Sequence, residues 1–325
     1  MEFHYNSVHE THKRFDSSDS NVKKYVFEFR DDPFANYFRE GSLVPVENKA
    51  IAEAVLYKYG SYKKRTVICC SVQSGCPVGC TFCGTGKFFV RNLGALEIVK
   101  QVDVIINEEV LNETDTKDIE KFQIMFMSMG EPMYNFNCTQ EAIRLLHEKY
   151  PNAQLLISTS SPTKIYSELS SLIKLSLDID KVGLQFSVHE STDVNRKKLI
   201  PSNTCTLQQI STIGELWAAA VGRKPFYNYC VHEGNNTIED AKRLNKLFNP
   251  DVWECTLSVI CEKDESVKSS IERQLNIIND FKTLMLEEGA SLRVFNPAGQ
   301  DDIGGGCGQL WYFQEWLKNN VKECK

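Results

Sequence analysis

The sequence contains no run approaching the roughly 18 consecutive apolar residues of a membrane-spanning helix. Its opening, MEFHYNSVHETHKRFD, lacks the apolar core of a secretory leader, so a cytoplasmic location is expected. Internal repeats and low-complexity tracts are also missing, which leaves an ordinary globular fold as the expectation. Basic charge is in deficit, with 37 Lys and Arg against 43 Asp and Glu and a net charge of -6. A protein that grips folded RNA usually shows a basic face. This balance does not advertise one, although a local patch can sit on an acidic protein. Cysteine, by contrast, is plentiful. Twelve in a chain of 325 residues, read as cytoplasmic, argue for metal or redox chemistry rather than a disulfide framework.

Three of the twelve fall together in VICCSVQSGCPVGCTFCGTGK, from Val67 to Lys87, where Cys76, Cys80 and Cys83 form a C-x3-C-x2-C pattern. No fourth cysteine follows at short range. A zinc knuckle would bring a second C-x2-C pair at a distance, and none is found. Scattered buried cysteines are the other bland reading. A [4Fe–4S] cluster usually takes four protein thiolates, so three leave one iron open to a small molecule. The spacing resembles that of the radical S-adenosylmethionine (SAM) superfamily, whose open iron is chelated by the amino and carboxylate groups of SAM.

Residues 1–22 are polar, rich in His, Ser and Asp, and read as a loose arm or extension. Residues 23–64 read as an extension, with strands over Lys24–Arg30 and Ala50–Tyr57, and a third strand begins the next unit at Arg65–Val72. From Ala95 the apolar spacing turns helical. Apolar strands then alternate with amphipathic helices, at Phe122–Met127, Ala153–Ser158, Val182–Val188, Phe226–Val231, Glu254–Ile260 and Ser291–Phe295, with a closing helix at Leu310–Val321. This alternation implies βαβ units and a parallel sheet. About six units predict an α/β fold over residues 65–325, a partial (β/α)6 barrel with a short N-terminal β extension. Its site belongs at the C-terminal ends of the strands.

Polar residues gather at those ends. Gly130-Glu131-Pro132 leaves one strand, where glycine permits close backbone approach and the carboxylate could hold an ammonium group. A tight turn with a helix-entry acid is the structural alternative. Ser158-Thr159-Ser160-Ser161 ends the next, with hydroxyls suited to a ribose or carboxylate but also to helix N-caps. Ser187-Val188-His189-Glu190 ends the third, and Tyr229, Cys230 and His232 end the fourth. Near the C-terminus, GGGCGQL sets Cys307 in a glycine-rich loop that could bring a thiol to a bound ligand.

Together, CCSVQSGCPVGCTFCGTG, FFVRNL, MSMGEP, LISTSS, FSVHESTDVNRKKLIPSN and QDDIGGGCGQL resemble, in order, the motifs of the RlmN/Cfr group of radical SAM methyltransferases, which methylate adenosine in RNA. The likeness runs from about Lys24 to Leu310. It implies that Cys76, Cys80 and Cys83 ligate the cluster and that Gly130, Glu131, Ser160, Ser187 and His189 bind SAM. It further implies that Cys307 is itself methylated, that Cys69 is the second essential cysteine, and that Glu53 is a general base. In the family one SAM methylates the Cys307-type thiolate by displacement, and a second is cleaved to a 5′-deoxyadenosyl radical. The radical takes a hydrogen from the methylated thiol, and the S–CH2 radical adds to the electrophilic base carbon. After the ring proton leaves, the Cys69-type thiol releases the adduct by forming a disulfide. The implied partners are ribosomal or transfer RNA and a reducing protein such as flavodoxin or ferredoxin.

Departures from the family bear on the substrate. Little more than 20 polar residues precede the first matching strand, where the family usually has a small helical RNA-binding domain. Val294–Gly299 replaces a stretch that is usually Arg-rich, and Cys261 stands where the family tends to place asparagine. The basic groups left to meet phosphate are Lys63, Lys64, Arg65, Lys87, Arg91, Arg196, Lys197 and Lys198. Two alternatives stay open: the same chemistry on a nucleotide, small metabolite or peptide, and a non-catalytic or electron-transfer iron–sulfur protein. The Cys69/Cys307 pair argues against the latter.

Overall fold

The computed structural model describes residues 10–29, 50–86, 89–259, 267–295 and 303. In chain order the elements are β1 (Glu10–Asp16), β2 (Val22–Phe29), β3 (Ala50–Lys58), β4 (Arg65–Cys70), β5 (Gln73–Gly75), β6 (Phe89–Asn92), α1 (Ala95–Glu108) and β7 (Lys121–Phe126). Then come α2 (Phe136–Lys149), β8 (Gln154–Thr159), α3 (Ile165–Asp178), β9 (Val182–Ser187), α4 (Asp193–Leu199), α5 (Leu207–Val221) and β10 (Phe226–Val231). The last are α6 (Ile238–Leu247), β11 (Glu254–Val259), α7 (Val267–Glu287) and β12 (Leu292–Val294). Ten strands form one sheet in the order β1-β2-β3-β4-β7-β8-β9-β10-β11-β12, while β5 and β6 pair separately. From β4 to β12 every pairing is parallel, and β1 to β4 are joined antiparallel. This is the open, partial α/β barrel with an N-terminal β extension that the strand–helix alternation implies.

The period-2 geometry of a strand sends successive side chains to opposite faces. On the outer face Phe122, Ile124 and Phe126 of β7 are buried in the main core with Ile98, Val102 and Ile105 of α1 and Ile143 and Leu146 of α2. Cys70, for which the sequence offers no role, points into this same core. On the inner face Val22, Val55, Tyr57, Val67 and Cys69 form a smaller cluster that Ile303 completes. The helices carry their own start signals: Thr206 with Gln209 and Thr237 with Asp240 make reciprocal capping boxes on α5 and α6. Gly214 lets α5 lie flat on Trp253, since a Cβ there would come within 2.1 Å of the indole ring.

Residues 10–16 are an extension of the sheet rather than a loose arm. They form β1, paired along its whole length with β2. Its polar composition suits an edge strand, and its side chains are anchored: Arg14 Nη1 donates to Glu109 Oε1 at 2.8 Å and His12 Nε2 meets Glu108 Oε1 at 2.8 Å. The expected helix Leu310–Val321 lies outside the described residues.

Candidate active site

The three clustered cysteines sit in the loop between β5 and β6. Backbone bonds fold it tightly, with Cys83 N donating to Cys80 O at 3.1 Å and Gly86 N to Cys83 O at 3.2 Å. Thr81 N donates to Leu199 O at 2.9 Å, which ties the loop to the end of α4. Among the described residues no three His, Cys, Asp or Glu side chains converge as ligands of a single metal ion. A four-iron cube makes a different demand, because it takes each thiolate at a separate corner. All three cysteine residues are partly exposed and in no disulfide, as that donor set requires. Burial of its sulfur pushes the Cys76 thiol up to about 12, so a bound metal would be what draws off its proton.

Directly behind the loop, β7 ends in the Gly130–Glu131 turn. Gly130 has φ +94°, and a Cβ on it would lie 2.5 Å from Gln73 Cβ. Glycine is therefore obligatory there, and the close approach lets Glu131 N donate to Gln73 Oε1 at 2.8 Å. The Glu131 carboxylate is buried, and its oxygens accept from Thr159 Oγ1 at 2.5 Å, Met133 N at 3.0 Å, and Ser160 N and Oγ, both at 2.7 Å. Four donors fill the four lone-pair sites of a carboxylate. Glu131 thus acts as a knot between the ends of β7 and β8 and has no acceptor capacity left for an ammonium group in this arrangement. Burial raises its pKa, and those same bonds oppose the rise. Nearby, Ser161 Oγ is buried with no hydrogen-bond partner among the described residues, on a residue at φ +58°. That orphaned hydroxyl, beside the sharp Gly130 turn, fits a site built for a polar ligand.

His189 stands at the end of β9 with φ +63°. Its Nδ1 accepts from Cys230 N at 3.3 Å, which places the ring proton on Nε2. The ring meets Phe82, between two of the clustered cysteines, edge-on at a centroid distance of 5.5 Å. Burial, then the nearby Arg196 charge, holds its pKa down at about 3, so the ring is neutral. Beyond it, His232 Nε2 meets Glu190 Oε1 at 2.8 Å, and Tyr229 is buried with its hydroxyl on Asn235 O.

Arg196 is the group the sequence misassigned. Grouped above with cations that could meet phosphate, it is buried and donates to Ser160 O at 2.7 Å, Ser187 O at 2.9 Å, Thr204 Oγ1 at 3.0 Å and Cys205 O at 3.0 Å. A buried guanidinium is tolerable only where its donors are met. Here the two Nη groups are met, in part by the carbonyls of two expected SAM-binding residues, while the buried Nε has no partner among the described residues. Arg91 is likewise removed from the phosphate set, since it forks onto Glu97 at 2.7 and 2.8 Å. Lys87 lies outside the described residues.

On the inner face, Glu53 shares a side of the sheet with Cys69: Val55, two positions along β3, pairs with Cys69 across the ladder. Glu53 is buried, and its Oε2 lies 2.5 Å from Lys24 Nζ. That ammonium also donates to Ile303 O at 3.3 Å. Burial lowers the Lys24 pKa, and the Glu53 charge opposes the drop. Lys24, the first residue of the strand expected over Lys24–Arg30, is fully buried. The signal was its place in period with Val22 and Val26, on a face that turns out to be covered. Cys307 and Cys261 lie outside the described residues.

Residues 70–210 match the model of the radical SAM superfamily. The chain is 33% identical over 251 residues to the probable dual-specificity RNA methyltransferase RlmN of Thermotoga sp. (strain RQ2), covering 76% of this chain and 68% of that protein. It is 31% identical over 308 residues to the dual-specificity RNA methyltransferase RlmN of Campylobacter hominis, covering 93% and 78%. Among solved structures, Streptococcus suis SuiB bound to precursor peptide SuiA superimposes with a TM-score of 0.50 at 13% identity, over 72% of this chain and 49% of that one. That likeness concerns the fold alone.

Proposed function

This chain belongs to the RlmN/Cfr family of radical SAM methyltransferases, enzymes with a [4Fe–4S] cluster and SAM as cofactors, and from that premise we propose that it methylates an adenine carbon in RNA through a methylated Cys307. When bound, the cluster and SAM supply a one-electron cleavage that yields the 5′-deoxyadenosyl radical. Cys76, Cys80 and Cys83 would hold the cluster. Gly130, Ser160, Ser187 and His189 would shape the SAM site, with Glu131 and Arg196 fixing the strand ends that carry them. Cys307 carries the one-carbon unit as a thioether. Cys69 then forms a disulfide with it, which frees the methylated base. Glu53 takes the ring proton, its carboxylate held in place by Lys24.

One observation carries this reading. Ile303, four residues before Cys307, is buried in one cluster with Cys69 and is tethered through its carbonyl to the lysine that holds Glu53. Four residues span at most about 13–14 Å, so the chain length from Ile303 permits Cys307 to reach both groups. RNA is favoured over a small metabolite or peptide because the relatives spanning most of the chain are named as RNA methyltransferases. Cytoplasmic residence and a flavodoxin- or ferredoxin-like electron donor follow from that substrate and chemistry. Among the described residues no helix is long and apolar enough to cross a membrane.

The test is methyl transfer from SAM into ribosomal and transfer RNA by anaerobically reconstituted enzyme with reductant, alongside a Cys307→Ala variant. Wild type should form S-adenosylhomocysteine, 5′-deoxyadenosine and methylated adenine. A Cys307→Ala variant that still methylates RNA would overturn the mechanism.

A further inference from the structure

Helix α4 has two unlike faces. Arg196 turns inward to the strand ends, while Val194, Lys197 and Lys198 are exposed. Their i, i+3, i+4 spacing sets all three on one outward stripe, where Val194 is 71% exposed. Lys197 Nζ donates to Ser202 O at 2.8 Å and Lys198 Nζ to Asn195 Oδ1 at 3.2 Å. These partners are uncharged, so neither ammonium is neutralised by a carboxylate among the described residues. Asp193, the acid on the same helix, accepts from Leu207 N at 2.7 Å. The patch continues onto the turn before α3, where Thr163 N donates to Asn203 O at 3.2 Å and Asn203 Nδ2 to Thr163 Oγ1 at 3.2 Å. That contact sets the exposed Lys164 beside the segment following α4, with Glu168 Oε1 3.9 Å from its Nζ. A cationic patch with an apolar centre, on a chain of net charge -6, fits an acidic partner.

What the patch adjoins decides which partner. Leu199, next to Lys198, accepts from Thr81 N at 2.9 Å, and Thr81 directly follows Cys80. Pro201 packs on Gly79, where a Cβ would meet Pro201 Cγ at 3.9 Å. The lysines thus stand against the loop that carries the three clustered cysteines. Cys69 and Glu53 lie on β4 and β3, three and four strands from β9 in the sheet, about 14–19 Å along it. A base reacting there gains nothing from α4. An electron bound for the cluster does, because tunnelling falls steeply with distance and its donor must dock beside the loop.

We propose that Val194, Lys197, Lys198 and Lys164 form the docking surface for an acidic one-electron carrier protein, which reduces the cluster across the Cys80–Thr81 edge of its loop. The proposal rests on the reading of the chain as a radical SAM enzyme that draws on an external electron. The step is a single outer-sphere transfer. The carrier is oxidised by one electron, the cluster is reduced by one, and no bond or proton changes hands. Transient electron-transfer pairs use small interfaces. Charge steers their encounter, and the exposed valine supplies a centre that sheds water on contact.

The test sets two kinds of reductant against each other on anaerobically reconstituted enzyme. Dithionite needs no docking, whereas flavodoxin and ferredoxin, each kept reduced by its reductase, do. Formation of 5′-deoxyadenosine is followed in wild type, Lys197→Glu/Lys198→Glu and Lys164→Glu, each checked by thermal melting. Lys117→Glu/Lys121→Glu, at the N-terminal ends of the strands, is the control of equal charge change. Biolayer interferometry gives carrier affinity against salt concentration. At low salt we expect carrier affinity and carrier-driven rates to fall about tenfold in Lys197→Glu/Lys198→Glu, and less in Lys164→Glu, with dithionite-driven rates unchanged. The difference should close near about 0.5 M salt, where screening acts within about 4 Å. Equal losses with both kinds of reductant, together with weaker RNA binding, would assign the patch to RNA and overturn the proposal. Rates and affinities that neither charge reversal nor salt alters, with either carrier, would also overturn it, as would an equal loss in the control. A wild type that forms no 5′-deoxyadenosine even with dithionite would overturn the enzyme reading beneath it.

Discussion

Ile303 and Cys69, separated by 234 positions in the chain, are buried in the same apolar cluster, between the extension strands and the first strand of the barrel. The contact brings Ile303, four residues before Cys307 in the sequence, onto the wall that carries Cys69. It is backed by a polar tether, because Lys24 joins the carbonyl of Ile303 to the carboxylate of Glu53.

Removing the tether should be expensive. Lys24→Ala leaves the Glu53 carboxylate buried without its counter-charge, and breaking such a pair from one side costs on the order of 3–5 kcal/mol. Denaturant unfolding should register that loss. Lys24→Ala with Glu53→Gln should recover part of it while leaving methyl transfer to RNA impaired. A double variant no more stable than the single one would disconnect the two groups.

Gly130→Ala meets two obstacles at once, a left-handed backbone and a Gln73 Cβ only 2.5 Å from the new methyl group. The expected cost is about 2–4 kcal/mol. Because the Gln73–Glu131 bond crosses this turn, SAM binding measured by calorimetry should weaken as well. Unaltered SAM affinity would separate the turn from the cofactor site.

Arg196→Met removes the donors that hold the Ser160 and Ser187 carbonyls and strands four acceptors. We expect a loss of about 3 kcal/mol or more in stability and a raised KM for SAM. Arg196→Lys, which keeps the charge but not the fork, should fall between. A lysine variant as impaired as the methionine one would show that charge alone is not what the strand ends need.

Acid should weaken the fold through His189. Its folded pKa of about 3 lies below the ordinary histidine value of about 6.5, so the unfolded chain takes up a proton that the folded chain refuses. The stability from the neutral ring is complete above about pH 6.5 and is lost as pH falls towards about 3, by up to about 1.4 kcal/mol per pH unit. Denaturant midpoints of the metal-free protein between about pH 7 and pH 5 should show the decline. His189→Asn, which tolerates the φ of +63°, should flatten it. An undiminished slope in that variant would assign the decline to another group.

Much of this architecture is legible in the sequence because strand and helix periods are local. The parallel strands and their helices fall close to where apolar alternation puts them, and C-x3-C-x2-C marks the cluster loop without help from the fold. What escapes is decided by distant covering. Lys24 looks like a solvated position in KYVFEFR until Ile303 and Glu53 close over it. Arg196 looks like one of three exposed cations in RKK, yet its neighbours Lys197 and Lys198 are exposed while it turns inward to meet four acceptors. Residues 10–16 look unstructured because an edge strand needs no apolar face.

The ladder running unbroken from β1 to β12 has a practical consequence. A polypeptide shortened to begin at Arg65 would expose β4 as a bare edge, with the backbone groups that β3 satisfies left unpaired. Bare edges recruit strands from other molecules, and here the recruiting strand would carry Cys69 in the open. Such a truncate should associate in concentrated solution and cross-link through that thiol in air. The first three strands therefore shield the Cys69 thiol from chemistry with the wrong partner.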